Sequence, residues 1–118
     1  MLSLPPSVRI YLCLEPADMR RSFDGLAAMT ETIIGQNPLS GHLFVFCNKR
    51  RDRVKILVWD RTGYCLWYKR LERGVFHFPS GEGGSAEIPL SELTLILEGI
   101  ELVGARRRKR FRLEQISR

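Results

Sequence analysis

The chain has 118 residues, of which 44% are apolar and 27% charged, and it carries a formal net charge of +6. This length supports one domain with a buried core and leaves too little chain for a second domain of ordinary size, and the apolar share excludes disorder throughout. The positive balance favours a polyanionic partner, with nucleic acid first and an anionic membrane surface second.

Cysteine and histidine usage excludes several kinds of site. The three cysteines form no C-x-x-C pair, and the two histidines, His42 and His77, have no zinc-ligand spacing. An odd cysteine count and the lack of a signal sequence indicate a reducing, cytoplasmic setting. No apolar run approaches the roughly 20 residues that span a bilayer. We therefore expect a cytoplasmic protein with no cofactor, no metal and no membrane partner.

The first predicted elements are a strand and a helix. Every second residue from Val8 to Leu14 is aliphatic, which predicts a strand over residues 8–14 with one apolar face. Apolar residues at helical spacing follow, with Asp18 or Ser22 as the candidate helix cap. Gly35 is a typical residue for the end of this helix.

The stretch from Gly41 to Pro79 is central to the chain and contains four strand-like runs. These runs are rich in β-branched and aromatic residues and are separated by polar or glycine-containing turns. Their predicted bounds are 43–47, 54–59, 64–68 and 75–78. Connections this short cannot cross over to a parallel neighbour, so the spacing predicts an antiparallel meander of four strands.

Positive charge and aromatic side chains are concentrated in the same stretch. Residues 49–73 contain nine lysines and arginines against three acids, and this local balance of +6 equals the net charge of the whole chain. Eight of the eleven aromatic residues lie between Gly41 and Pro79. Both features indicate that this stretch meets a partner.

The C-terminal part combines a loop, a short helix and a basic tail. Residues 80–85 are rich in glycine and serine, which is typical of a mobile loop. Ser91 can cap a short helix that ends at Gly99 and docks its leucines on the sheet. Residues 106–112 carry six positive charges in seven positions, which predicts a disordered tail that orders on binding.

These elements predict a single α+β domain over residues 1–104 and a basic, flexible tail over residues 105–118. The domain has a mostly antiparallel sheet of about five strands, one main helix and a short C-terminal helix. The run at 54–59 is apolar on both faces. One helix does not cover such a sheet, so either the second helix or a partner subunit packs on the far face.

Several short motifs, in this order, resemble those of one known family. They are Val8-Arg-Ile-Tyr-Leu, Asp18-Met-Arg-Arg-Ser-Phe-Asp-Gly-Leu-Ala27, Gly41-His-Leu-Phe-Val-Phe46, Trp59-Asp60, Tyr68-Lys-Arg-Leu-Glu-Arg-Gly74 and Phe78-Pro79. From about Leu4 to Gly99 the chain is similar to the TnpB family, the small accessory proteins from the second open reading frame of the IS-sixty-six insertion sequences. The resemblance implies a role in bacterial transposition beside a larger transposase that carries the catalytic residues. It supplies neither an agreed activity nor binding residues for the small protein.

Three groups of basic residues are candidates for contact with a nucleic-acid backbone. Guanidinium groups bind phosphate in bidentate geometry, and neutralising several phosphates makes affinity fall steeply with salt. The candidates are Lys49, Arg50, Arg51 and Arg53 of the first hairpin tip, Lys69, Arg70 and Arg73 after the third run, and Arg106, Arg107, Arg108, Lys109, Arg110 and Arg112 of the tail. Antiparallel pairing brings the first two groups to the same or to opposite edges. The alternative is a solvated loop and a solubilising end.

Trp67 and Tyr68 directly precede Lys69 and Arg70. This order favours the stacking of unpaired bases on an aromatic ring beside phosphate-binding groups. Adjacent residues of a strand face opposite ways, however, so at least one of the two rings is expected in the core.

Four aspartates, at positions 18, 24, 52 and 60, raise the alternative of a metal-dependent nuclease, because such sites need converging carboxylates. Their spacing gives this alternative no support. Asp18 is better explained as a helix cap, Asp52 and Asp60 as turn residues, and Asp24 as an ion-pair partner of Arg20 or Arg21. No glycine-rich phosphate loop, Ser-His-Asp set or Cys-His pair occurs. The sequence therefore predicts that the protein is not an enzyme.

Two functions follow as hypotheses. The first is a non-catalytic accessory protein for the transposition of an insertion sequence, which contacts the DNA backbone through the basic hairpin and tail. The second is a protein-protein adaptor that binds the transposase of the same element without contacting DNA. A second copy of the chain is a further candidate partner in either case.

Overall fold

The computed structural model describes residues 5–100. The elements, in chain order, are β1 (Ile10–Cys13), α1 (Phe23–Met29) with a π-helical continuation (Thr30–Ile34), β2 (Leu43–Cys47), β3 (Arg53–Asp60), β4 (Gly63–Arg70), β5 (Ser85–Ile88) and α2 (Leu90–Leu97). The strands form one sheet in the order β4-β3-β2-β1-β5. Only the β1–β2 pair of this sheet is parallel. The predicted α+β class with a mostly antiparallel sheet is confirmed, and the predicted basic tail lies outside the described residues.

The first helix starts and stops at predicted residues, and Ser22 occupies the N-cap position without the expected side-chain hydrogen bond. Asp18 is not a helix cap, because its carboxylate accepts hydrogen bonds from the backbone N–H and the guanidinium of Arg20. Gly35 ends the π-helical segment in the left-handed conformation, with φ of 77°.

Three of the four predicted meander strands are confirmed as β2, β3 and β4, and the fourth is wrong. Residues 75–78 form no strand within the described part of the chain. Phe76 instead donates its backbone N–H to the Arg51 carbonyl at 2.7 Å, and its ring is buried against one face of the sheet. A short apolar run has the same residue pattern whether it pairs as a strand or packs on the face of a sheet. The sequence alone therefore could not distinguish the two.

The fifth strand begins at the last residue of the predicted mobile loop, 80–85, and continues into residues for which no element was predicted. Ser85 begins β5, which pairs antiparallel with β1 at the opposite edge from β4. Gly84 is held directly before it, since its carbonyl accepts the Leu14 N–H at 2.8 Å. The predicted cap Ser91 is wrong, because α2 begins at Leu90 and its N-cap residue is Pro89, two residues before Ser91. Gly99, with φ of 77°, follows the end of α2 as predicted.

This chain covers both faces of its own sheet. On one face, α1 and the π-helical segment pack on a cluster centred on Phe44, Phe46 and Leu57. On the other face, Leu93 and Ile96 of α2 join Phe76 over the apolar side chains of β1, β2 and β3. The far face is therefore covered by the second helix together with the segment around Phe76, which was one of the two predicted solutions.

Candidate nucleic-acid interface

The register between β3 and β4 decides where the basic groups lie. Arg53 at the start of β3 pairs with Arg70 at the end of β4. The backbone N–H of Leu71 then donates to the Asp52 carbonyl at 2.8 Å. The end of β4 therefore lies beside the turn that joins β2 to β3. The two basic groups share one end of the sheet, which settles a question that the sequence left open.

The turn at residues 48–53, here called the basic turn, is held in one conformation by Asn48. The Asn48 Oδ1 accepts the backbone N–H groups of Asp52 and Arg53, each at 3.0 Å. Its Nδ2 donates to the Asp52 carboxylate at 2.6 Å, and this hydrogen bond is the main reason why the pKa of Asp52 is lowered. Arg51 takes a positive φ of 63° in the same turn. The basic turn is thus an ordered support for its charged side chains.

The cationic side chains of the basic turn lie in three different environments: solvent, the face of the sheet covered by α2 and the face covered by α1. Lys49 and Arg50 are exposed, and within residues 5–100 their side chains make no hydrogen bond or ion pair. The guanidinium carbon of Arg51 lies 5.2 Å from the centroid of the Phe78 ring, toward the face covered by α2. Arg53 donates to the Tyr68 hydroxyl at 2.9 Å on the face covered by α1.

Lys55 connects the sheet to the loop before α1. Its side chain is buried, and its ammonium donates to the carbonyls of Met19 and Arg21 at 2.7 and 2.8 Å. The same ammonium lies 4.8 Å from the centroid of the Tyr68 ring. A buried ammonium needs such partners, because desolvation without them is costly. Lys55 therefore fixes both the loop and the aromatic ring.

The loop at residues 17–21, here called the arginine loop, lies next to the basic turn. Its first residue, Ala17, donates its N–H to the Cys47 carbonyl at 2.8 Å. Within the loop, the Arg20 Nη2 lies 2.7 Å from the Asp18 carboxylate, and the Arg20 side chain is 92% exposed. Hydrogen bonds from Arg20 lower the pKa of Asp18 to about 2. The pair therefore stays ionised at neutral pH, and its arginine faces solvent.

A cleft of about 450 Å³ separates the arginine loop from the basic turn. Its lining includes Tyr68, one carboxylate and four cationic side chains. The cationic residues are Arg20, Lys49, Arg50 and Arg53. The carboxylate is Asp18, which is already engaged by Arg20. The cleft thus combines an aromatic ring with an excess of positive charge, which suits a ligand that has both a ring and an anionic group.

The second basic group, Lys69, Arg70 and Arg73, has more internal contacts than the basic turn. Lys69 donates to the Leu97 carbonyl at 2.7 Å and so ties β4 to the last turn of α2. Arg70 pairs with Glu72 at 2.8 Å. Arg73 is exposed and has no side-chain hydrogen bond or ion pair among residues 5–100. Two of these three cations therefore have partners within the chain.

Comparison with known proteins assigns the chain to a family. The sequence profile of the IS66 Orf2-like proteins matches residues 8–107, which is most of the chain. The chain belongs to the IS66 Orf2-like family. This family has an accessory role in transposition, and the resemblance described from the sequence motifs is confirmed.

Two relatives of this IS66 Orf2-like protein come from Sinorhizobium fredii (strain NBRC 101917 / NGR234). The uncharacterized protein y4hO is 39% identical over 101 residues, which cover 86% of this chain and 88% of that protein. The uncharacterized protein y4jC is 32% identical over 108 residues, which cover 92% of each chain. No solved structure matches the chain.

The aromatic residues of β4 are more exposed than the sequence predicted. Trp67 is 36% exposed and Tyr68 is 46% exposed, although the two face opposite sides of the sheet. The prediction that at least one of them is in the core is wrong, because among residues 5–100 no strand pairs with the outer side of β4. Trp59 is half-buried and packs edge-on against Tyr64, with ring centroids 5.1 Å apart.

The sequence did not predict the structural roles of Arg20 and Lys55 in this IS66 Orf2-like protein. Arg20 lines the cleft, and Lys55 holds the arginine loop against the sheet. Asp24 was predicted to pair with Arg20 or Arg21, whereas the partner of Arg20 is Asp18. Lys55 was counted among the basic residues without a role. The period of a strand could have given a signal, since Lys55 lies two residues after Arg53 and therefore on the same face. No sequence signal placed the arginine loop beside that face.

The carboxylates of this region do not converge. Within the described range 5–100, no three histidine, cysteine, aspartate or glutamate side chains are arranged to hold a metal ion. Asp18 binds Arg20 and Asp52 binds Asn48, so each has a local structural partner. No helix in the same range is long and apolar enough to cross a membrane.

Proposed function

We propose that this IS66 Orf2-like protein is a non-catalytic accessory factor of transposition that contacts the DNA backbone through the basic turn. The observation that carries the proposal is the exposure of Lys49 and Arg50 on an ordered turn. Both extend from a turn ordered by Asn48, and among residues 5–100 neither makes a side-chain hydrogen bond or ion pair. The nearby charge of Arg50 contributes to the lowered pKa of Asp52 without forming such a pair. Cations presented in this way bind phosphates without first breaking an internal contact.

The other predicted cations contribute differently to this proposal. Lys69 and Arg70 already bind the Leu97 carbonyl and Glu72, so we assign them a supporting role. Arg73 is exposed and remains a candidate contact. The basic run at 106–112 lies outside the described residues, and we propose that it supplies a second backbone contact. Backbone contacts position a protein on DNA but do not read its sequence.

The proposal is tested by binding of the full chain to a labelled duplex across a salt series. Each phosphate contact contributes about 0.9 to the slope of log affinity against log salt. Arg50→Ala should lower that slope by about 1, and the double change with Lys49→Ala by about 2. Truncation after residue 105 should lower the slope further if the tail contributes.

The matched control is Arg61→Gly. Arg61 lies in the turn between β3 and β4, at the other end of the sheet, and its positive φ of 45° suits glycine. This variant removes one exposed cation and should leave the slope unchanged. Absence of duplex binding at low salt would overturn the proposal, and so would an equal effect of the Arg50 and Arg61 variants.

One observation favours a second function, a protein-protein adaptor for the transposase of the same element. β4 is an eight-residue edge strand that carries the exposed Trp67. An exposed edge strand offers unpaired backbone groups to a strand of a partner, which is the transposase or a second copy of the chain. Trp67→Ala should then weaken co-purification with the transposase or the self-association seen by light scattering. Duplex affinity should not change, which separates the two functions.

A further inference from the structure

We propose that the cleft between the arginine loop and the basic turn binds an unpaired nucleotide of a DNA strand, with its phosphate on the cationic rim and its base against the Tyr68 ring. This inference rests on the proposed function and deepens it, because it names the form of DNA that the surface prefers.

The ring of Tyr68 is held in place before any ligand arrives. Arg53 donates to its hydroxyl at 2.9 Å, and the Lys55 ammonium lies 4.8 Å from its centroid. Even so, 46% of the residue stays exposed, and it lines the cleft. A ring that is already fixed loses little conformational entropy when a base stacks on it. Tyr68 is therefore a prepared platform rather than a freely rotating surface side chain.

The charges around this platform come from separate segments of the chain. Arg20 comes from the arginine loop, and Lys49 and Arg50 come from the basic turn. Lys55 brings the two segments together, since its ammonium binds the carbonyls on either side of Arg20. Asp18 reduces the positive charge at one wall, but its carboxylate is bound by Arg20. Lys49 and Arg50, two exposed cations of the rim, can hold a phosphate next to the ring.

The cleft distinguishes an unpaired nucleotide from a base pair. The cleft is shallow and open to solvent, with a volume of about 450 Å³, so a base can approach the Tyr68 ring from outside. The bases of a duplex are stacked on each other and do not expose a face to a protein ring, whereas unpaired bases do. A duplex can reach the cationic rim through its phosphates alone. Only an unpaired strand gains the additional stacking on Tyr68.

Trp67 provides a matched control for the aromatic contribution. It is the preceding residue of β4, it is also exposed, and it lies on the opposite face of the sheet, outside the cleft. Replacing either ring by alanine removes an exposed aromatic side chain from the same edge strand. Only the change at Tyr68 alters the proposed platform.

The experiment measures fluorescence anisotropy of a labelled 12-nucleotide strand and of the corresponding 12-base-pair duplex, with the full chain at one low salt concentration. Tyr68→Ala should weaken single-strand binding by roughly 5- to 150-fold and change duplex binding less than twofold. Tyr68→Phe keeps the ring and its contact with Lys55 but loses the hydrogen bond from Arg53, and it should retain most of the single-strand binding. Trp67→Ala should leave both affinities unchanged.

The possible failures are distinguishable. If Tyr68→Ala leaves single-strand affinity intact, or weakens both forms of DNA equally, the nucleotide site is overturned while backbone binding stands. A Tyr68→Phe variant that loses as much as Tyr68→Ala also overturns it, because the hydroxyl rather than the ring then matters. If the unmodified protein binds neither form at low salt, the proposed function falls together with this inference.

Discussion

The ammonium of Lys55 lies 4.8 Å from the centroid of the Tyr68 ring and donates to the carbonyls of Met19 and Arg21. These two residues face each other across β3 and β4 in register. Their contact joins an edge strand, a central strand and the loop before α1. The relative position of the arginine loop and the basic turn therefore depends on one buried side chain.

Lys55→Met should free the arginine loop from the sheet. The change removes both hydrogen bonds from the ammonium and leaves two carbonyls without their donor. Hydrogen bonds to charged groups contribute about 1.5–3 kcal/mol, so we expect a loss of that order in the free energy of unfolding. Urea denaturation followed by tryptophan fluorescence measures it, and hydrogen exchange should increase at residues 18–22. Lys49→Met, at an exposed position, should change stability by less than about 0.5 kcal/mol.

Asn48→Ala should disorder the basic turn without changing its charge. Asn48 satisfies the backbone N–H groups of Asp52 and Arg53, and alanine satisfies neither. We expect a loss of about 1–3 kcal/mol in the free energy of unfolding, measured by chemical denaturation. Asn48→Asp keeps an accepting oxygen but replaces the donating Nδ2 by a second carboxylate oxygen against Asp52, so it should also be less stable than the unmodified protein at neutral pH. Equal stability of the alanine variant and the unmodified protein would contradict the role assigned to this side chain.

Gly84→Ala tests whether the glycine-rich segment is packed or mobile. A Cβ atom at this position would lie 2.8 Å from both the side chain and the carbonyl oxygen of Ile33. Overpacking of this kind costs about 1–3 kcal/mol. At Gly81 the nearest atom to an added Cβ is the Leu14 Cδ1 at 3.4 Å, so Gly81→Ala is the matched control and should be neutral. Thermal denaturation that gives equal midpoints for both variants would contradict the close contact.

Asp18 should titrate well below an ordinary aspartate. Hydrogen bonds from Arg20 lower its pKa to about 2, against the usual value near 4. Because the folded-state pKa is the lower one, the pair stabilises the folded protein above about pH 4, and this contribution is lost as the pH falls toward 2. Carboxyl NMR titration measures the pKa directly. Arg20→Gln should move it up toward the ordinary value, whereas Arg21→Gln should leave it low.

The local sequence pattern was sufficient to predict most strands of the sheet. The alternation near residues 8–14 and the aliphatic and aromatic runs of β2, β3 and β4 predicted four strands, because a strand's period and composition are properties of its own residues. Asn48, Asp52 and the neighbouring cations also marked the turn. The same local information could not distinguish residues 75–78 from a strand. It also gave no sign that Ser85–Ile88, after a glycine-rich stretch, would pair with β1.

The amino-acid sequence was enough to predict the α+β class, the basic character of one hairpin and the family motifs, since each depends on residues close together in the chain. Tertiary structure alone decided that the basic turn, the arginine loop and Tyr68 surround one cleft. The reason is that these segments are separated by up to 51 residues, from Ala17 to Tyr68, and meet through strand register and through Lys55. Contacts between distant segments depend on how the whole sheet assembles, and no local pattern encodes that assembly.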